Sequence, residues 1–233
     1  MNMYKLKMYI KKIPIIGNLI VYIKSIKEKK EKNKKINALK YSGEGAVNKL
    51  FNIFEENKIE TFLNFGSLLG IVRDKKFMEY DDDIDYGIIV DEKFSWEIIE
   101  KILEKNNIYK VRQFKYKNII TEQTYKYENL TIDLFACFPE KEKLISYFYY
   151  RERGVIYNSK YEYSVASLNL YKFNNTKVIN SDNIKCRIPE NAEKYLASIY
   201  SDDWKVPNPN WNHKNGPGWN DEEEFGYIEI YSK

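Results

Sequence analysis

The sequence predicts a mixed α/β (α+β) domain, its sheet mixed or antiparallel and flanked by helices, preceded by a basic amphipathic segment. Three observations carry this expectation. Stretches with apolar residues at helical spacing alternate with short runs of period-two patterning. The length, 233 residues, suits a single domain with extras. Charge is split along the chain: residues 1–40 hold 12 Lys and 2 Glu, a balance of +10, and the rest holds 26 basic and 32 acidic residues, a balance of −6. The expected division is therefore a leader over 1–40 and a folded body over 41–233.

The leader, MNMYKLKMYIKKIPIIGNLIVYIKSIKEKKEKNKK, reads basic, apolar, basic. Its apolar centre, Ile13 to Ile23, contains Pro14, Gly17 and Asn18 and is about half of the roughly 20 residues a bilayer span needs. It has no small-residue cleavage site of the kind that ends a signal peptide. The expectation is an in-plane helix on the anionic inner face of a membrane, over residues 1–35, in a cytoplasmic protein. A helix packed on the body or on a partner subunit is the competing reading.

In SGEGAVNKLFNIFEENKI, residues 42–59, Val47, Leu50, Phe51 and Phe54 fall at helical spacing, with Ser42 as a start and Asn57 as an end. TFLNF (61–65) reads as a short strand, broken by Gly66-Ser67 before a helix start in SLLGIVR. DKKFMEY (74–80) is a polar loop. DDIDYGIIV (82–90) alternates as a strand, and EKFSWEIIEKILEKNN (92–107) is amphipathic at helical period. Residues 109–137 read as hairpin material ending in NLTIDLFACF. Helices are expected near 140–152 and, after Pro189, at 190–200. The tail WKVPNPNWNHKNGPGW reads as an ordered loop before a last strand.

Composition closes off several functions. Two Cys and one His cannot supply the roughly four ligands of a structural zinc site. Cys137 and Cys186 read as two reduced, partly buried thiols. The mildly acidic body argues against a nucleic-acid partner.

The chemistry concentrates in DDDIDYGIIV. Residues two apart on a strand share a face, so Asp83 and Asp85 point one way and Ile84, Tyr86 and Ile88 the other. Such carboxylates, roughly 6.5–7 Å apart at Cα, can converge on one hard divalent cation. LTIDLF puts a third acid, Asp133, inside another apolar strand, where an isolated carboxylate needs a partner. If that strand lies beside 82–90, the three acids meet, as metal-assisted phosphoryl chemistry requires. FGSLLGIVR adds a strand, a Gly-Ser break and a helix start, an arrangement that binds anions. There Ser67 offers a hydroxyl and Arg73 a planar fork.

Taken together, FGSLLGIVRDKKFMEYDDDIDYGI, the later TIDLF and the looser YLASIYSDDWKVPNPNW resemble the LicD/fukutin family of the nucleotidyltransferase-fold superfamily, over roughly residues 42–212. The resemblance implies a nucleotidyltransferase-like fold. It implies Mg2+ or Mn2+ on Asp83, Asp85 and Asp133, with Asp81, which alternates onto the same face, as a further ligand; Asp82 points away. It implies phosphate contact by Gly66, Ser67 and Arg73. The implied activity is transfer of phosphocholine or a phospho-alditol from a CDP-activated donor to a surface-glycan hydroxyl, with Asp133 as general base. Tyr80 stands where the family pattern often has Trp.

Two other functions fit parts of the pattern. The same fold can move a nucleoside monophosphate from a nucleoside triphosphate onto a hydroxyl. Asp81, Asp83, Asp85 and Glu92 also match positions 1, 3, 5 and 12 of an EF-hand, but the Gly that loop needs at position 6 is Tyr86. His213 is expected to bond within its loop. Trp204, Trp211 and Trp219 are expected to pin the tail or floor a sugar site.

Overall fold

A computed structural model describes residues 14–231, with side chains from Tyr22 onward. Most of the expected elements are present. Helix α1, Pro14–Glu56, is followed by β1, Thr61–Leu63, and α2, Phe65–Asp74. Then come β2, Ile84–Ile89, and α3, Trp96–Lys105. Four strands follow: β3 Tyr109–Tyr116, β4 Ile119–Tyr127, β5 Leu130–Glu140 and β6 Lys143–Tyr150. The chain continues with β7 Glu162–Tyr171, the hairpin β8 Thr176–Ser181 and β9 Ile184–Pro189, and α4 Ala192–Tyr200. It ends in a 3-10 turn at His213–Asn215, β10 Trp219–Asp221 and β11 Gly226–Ile230.

The sheet is not the open, helix-flanked layer the sequence suggested. Strand β5 is 11 residues long and changes partner along its length. Its first part lies between β2, parallel, and β4, antiparallel; its last residues, Phe138–Glu140, pair with β6. The order then runs β4, β3, β11, β7 and back through β6 to β5, closing a ring of six strands. Closure leaves those strands without a free edge. Strands β2 and β1 extend the sheet as a wing beyond β5. The core fills the wing's dry side: Leu50 and Phe54 of α1, Phe62, Leu68, Ile84, Leu103 and Ile132 are all buried.

The helix expected near 140–152 is strand β6. KLISYFYY has four aromatic residues and one β-branched one, Ile145, which favour a pleated surface over a helix. A tight turn with Lys141 at φ 41° returns it onto β5 and β7. Ser42 caps nothing: α1 runs unbroken through SGEG to Glu56. A Cβ at Gly43 would come 2.8 Å from a Leu39 methyl and 3.2 Å from the Phe77 ring, so these side chains would have to shift. Residues 1–13 of the expected leader lie outside the described residues. From Tyr22 to Lys34 α1 is exposed at every position, and packing begins only around Leu39, 2% exposed. Among the described residues no helix is long and apolar enough to cross a membrane.

Gly87 sits mid-strand in β2, where a Cβ would overlap the ring of Phe62. Phe62 in turn packs edge-on against Phe173 and Tyr195, with ring centroids 5.1 and 5.8 Å away, so it has no room to yield. Gly87→Ala is therefore expected to cost about 2 kcal/mol by overpacking. Urea denaturation should show the midpoint falling at an unchanged slope.

Candidate active site

The parallel pairing of β2 with β5 sets Asp85 directly opposite Asp133. Asp83 lies two residues before Asp85, on the same side. Each of the three offers a carboxylate oxygen within 4.8 Å of the others, so together they can hold one cation. Ile84, Tyr86 and Ile88 point the other way into the core, as alternation requires. The carboxylates stand at one end of a cavity of about 920 Å³.

Local chemistry fixes the cluster. Ser67 is 1% exposed, and its hydroxyl accepts the backbone N–H of Asp85 at 2.9 Å. It thus holds β2 in place and does not line the cavity. Asn64 precedes α2; its side-chain oxygen accepts the N–H of Phe65 at 2.9 Å and the hydroxyl of Tyr195 at 2.9 Å. The Asn64 N–H is donated to the carbonyl of Asp85 at 2.9 Å. Phe65 has φ 40°, a conformation few side chains adopt, and this network keeps it there. Gly66 lines the cavity. A Cβ on it would come 3.4 Å from Asp81 Oδ1 and 3.7 Å from Asp85 Oδ2. Glycine leaves that space beside the acids open.

Asp81 Oδ2 accepts the Met78 N–H at 3.2 Å, and the residue lies on the cavity wall. Asp82 faces α1, where Lys35 Nζ is 3.4 Å from its Oδ2. Arg73 reaches the cavity but grips Asp74, with Nη2 to Oδ2 at 2.8 Å. Glu92 belongs neither to the carboxylate cluster nor to the cavity wall, and Ile84–Ile89 is strand, so no EF-hand loop forms.

Among the wall residues that were not singled out from the sequence are Arg112 and Glu122. In register, Thr124 of β4 stands opposite Asp133, and Arg112 of β3 opposite Thr124. Glu122 stands opposite Phe135, one step along the same face. Arg112 donates from Nε to Thr124 Oγ1 at 2.8 Å and brings Nη2 to 3.7 Å from Asp133 Oδ1. That is too long for a hydrogen bond, and Asp133 Oδ1 is buried with no hydrogen-bond partner among the described residues. A buried carboxylate oxygen left without a donor fits a cation ligand. Glu122 is 6% exposed.

Burial, with the neighbouring charges adding to it, raises the pKa values of Asp81, Asp83, Asp85 and Glu122. Burial first, then Asp133 and Asp82, push Asp83 up to about 7. Burial lifts Asp85 well above the ordinary carboxylate range, with Asp83 and Asp133 adding to it. Burial takes Asp81 to about 6 against the opposing Met78 N–H. Glu122 is also raised, by burial and then by Asp133. Part of the wall is aromatic. His213 packs on Phe148 and Trp211 at ring-centroid distances of 4.2 and 4.9 Å. Burial lowers its pKa to about 4, so the imidazole is neutral at pH 7. Trp204 and Trp211 line the cavity; Trp219 packs behind it on Phe148 and Tyr150. Cys137 and Cys186 are buried free thiols.

Comparison with known proteins matches residues 58–179, just over half of the chain, to the LicD/FKTN/FKRP nucleotidyltransferase domain. A curated relative, the uncharacterized protein RT0683 of Rickettsia typhi, is 28% identical over 153 residues. The match covers 64% of this chain and 45% of that protein, so the chain spans less than half of its relative's length. The crystal structure of ANT(2″)-Ia in complex with adenylyl-2″-tobramycin aligns over 75% of this chain and 83% of that one. Its TM-score is 0.42 at 12% identity, a likeness on which nothing here rests.

The raised pKa values give a signed prediction. Between the ordinary 3.8 and about 7, the folded metal-free protein holds a proton on Asp83 that the unfolded chain has lost. Its stability must therefore fall as pH rises through that window. A divalent cation competes with that proton, so Mg2+ or Mn2+ should raise Tm more at pH 8 than at pH 5. Asp85→Asn should raise the metal-free Tm at pH 8 and abolish the metal-induced shift. Differential scanning fluorimetry across pH reads both.

Proposed function

The chain belongs to the LicD/FKTN/FKRP nucleotidyltransferase-domain family, and from that premise we propose a metal-dependent transferase. It moves a phosphorylated small alcohol, of phosphocholine or phospho-alditol type, from a CDP-activated donor to a glycan hydroxyl. The observation that carries this reading is the meeting of Asp83, Asp85 and Asp133 within 4.8 Å at one end of a large cavity.

Asp83, Asp85 and Asp133 would hold Mg2+ or Mn2+, with Asp81 beside them. The bound cation would neutralise charge on the donor pyrophosphate as the nucleoside monophosphate leaves. The chain's own residues supply the rest. Gly66 leaves room for a phosphate at the start of α2, where the helix dipole favours negative charge. Ser67 acts through Asp85 by fixing its backbone. Arg112 is the better phosphate partner of the two cavity arginines. Arg73 is held by Asp74, whereas Arg112 donates only through Nε among the described residues. In the transfer, the acceptor oxygen bonds to the phosphorus of the phospho-alcohol and the bond to CMP breaks. The acceptor's proton passes to a carboxylate, for which we propose Asp133. The neutral aromatic wall around Trp211 and His213 offers stacking surface to a sugar ring.

Calorimetric titration with CDP-choline, CDP-glycerol and CDP-ribitol, with and without Mg2+, tests the reading. One of them should bind in a metal-dependent way and release CMP when an acceptor is added. Binding of none, with firm metal-dependent binding of ATP, would instead indicate transfer of a nucleoside monophosphate. Asp83→Asn and Asp133→Asn should each lower kcat by at least about 100-fold. Arg112→Ala should raise the donor KM by about tenfold, the loss of one charge-assisted hydrogen bond.

A further inference from the structure

We propose that the N-terminal part of α1 is a docking arm for an anionic lipid surface. This does not depend on the transferase reading. Residues 22–34 are thirteen successive helical positions, every one exposed. At 1.5 Å per residue they extend about 20 Å before packing starts. Three of them are large and apolar: Tyr22 is 63% exposed, Ile23 58% and Ile26 52%. A stretch this long, standing free with its apolar groups in water, gains nothing from the fold and gains from a partner.

The arrangement of charge selects that partner. The thirteen positions carry six lysines and two glutamates, a net +4. At 100° per residue, Tyr22, Ile23 and Ile26 fall within one arc of about 100°. Lys30 lies within that arc, and Lys27 and Lys29 flank it. Glu28 and Glu31 fall on the opposite side, where Glu28 pairs with Lys24 at 3.1 Å. The apolar groups and the unpaired positive charge therefore share one face, and the acids are turned away. That is the pattern of a helix lying in the interface of an anionic bilayer. A second copy of the arm is disfavoured as occupant, since both would carry +4. A nucleic acid would leave the isoleucines facing its phosphates. Upstream the sequence keeps the same character: IPIIGNLIV at 13–21 is apolar, and Lys5, Lys7, Lys11 and Lys12 precede it. At the root of the arm, Lys35 meets Asp82 at 3.4 Å, so docking would bring the acid cluster close to the lipid surface.

Co-sedimentation of the full chain with vesicles tests the proposal. Binding is expected to phosphatidylcholine–phosphatidylglycerol vesicles, to weaken at high salt, and to be absent with phosphatidylcholine alone. Ile23→Ser/Ile26→Ser should weaken it at least tenfold without changing charge. Lys27→Ala/Lys29→Ala/Lys30→Ala should weaken it by about fivefold for each lysine removed. All these positions are exposed, so both variants should keep the parental Tm. Equal binding to neutral vesicles, no binding to anionic ones, or unchanged binding by both variants would overturn the proposal. So would sedimentation velocity showing a dimer that the Ile23→Ser/Ile26→Ser variant loses, since the apolar stripe would then belong to a second copy.

Discussion

The parallel pairing of β2 with β5 puts Asp85 beside Asp133 and leaves Asp83 two residues away on the same face. Their oxygens lie within 4.8 Å of one another. Two unit charges at that distance repel by about 3 kcal/mol at an effective dielectric constant near 20. Three such pairs are not sustained in a partly buried place by chance. The strand could satisfy its core-facing side with Ile84, Tyr86 and Ile88 and still put neutral residues on the other. The cluster is tolerable only if the acids are protonated or share a cation, and the raised pKa values of Asp83 and Asp85 express the first state.

Much of the surrounding structure holds those acids where they are. The Ser67 hydroxyl and the Asn64 backbone bind successive polar groups of Asp85, and Tyr195 of α4 ties Asn64 from the far side. Gly66 keeps the opening clear. The ring of strands then supplies the opposite wall. Because β4 and β3 follow β5 in register, Thr124, Glu122 and Arg112 face the acids. The segment after α4 adds Trp204, Trp211 and His213, with His213 neutral at pH 7, and also Asp203. The cavity thus combines a carboxylate cluster with aromatic side chains.

The acids were legible because alternation is a local property. DDDIDYGIIV states which residues share a face, and TIDLF repeats the pattern, so the meeting of Asp83, Asp85 and Asp133 needed only adjacency of two strands. Arg112 and Glu122 were not legible in this way. Their place depends on the register of β3 and β4, which is set by the turn at Lys117 and Asn118, both at positive φ, and by a register shift between Phe114 and Lys115. The available signal was a glutamate in the middle of ITEQTYKY, a charged residue inside a strand. Ser67 was placed correctly at the start of α2, but the direction of its hydroxyl depends on β2, which is distant in sequence. Strand β6 carried a local signal in its aromatic run, which the helix expectation passed over, and pairing with β5 and β7 completes it. The closed ring depends on the length of β5, which no local pattern discloses.

A crystal grown with MnCl2 and measured at a wavelength where manganese scatters anomalously would locate the cation directly. A strong anomalous peak is expected between the carboxylates of Asp83, Asp85 and Asp133, lost in an Asp133→Asn crystal. Ordered electron density with no peak among those three residues, or with manganese bound only elsewhere on the molecule, would contradict it.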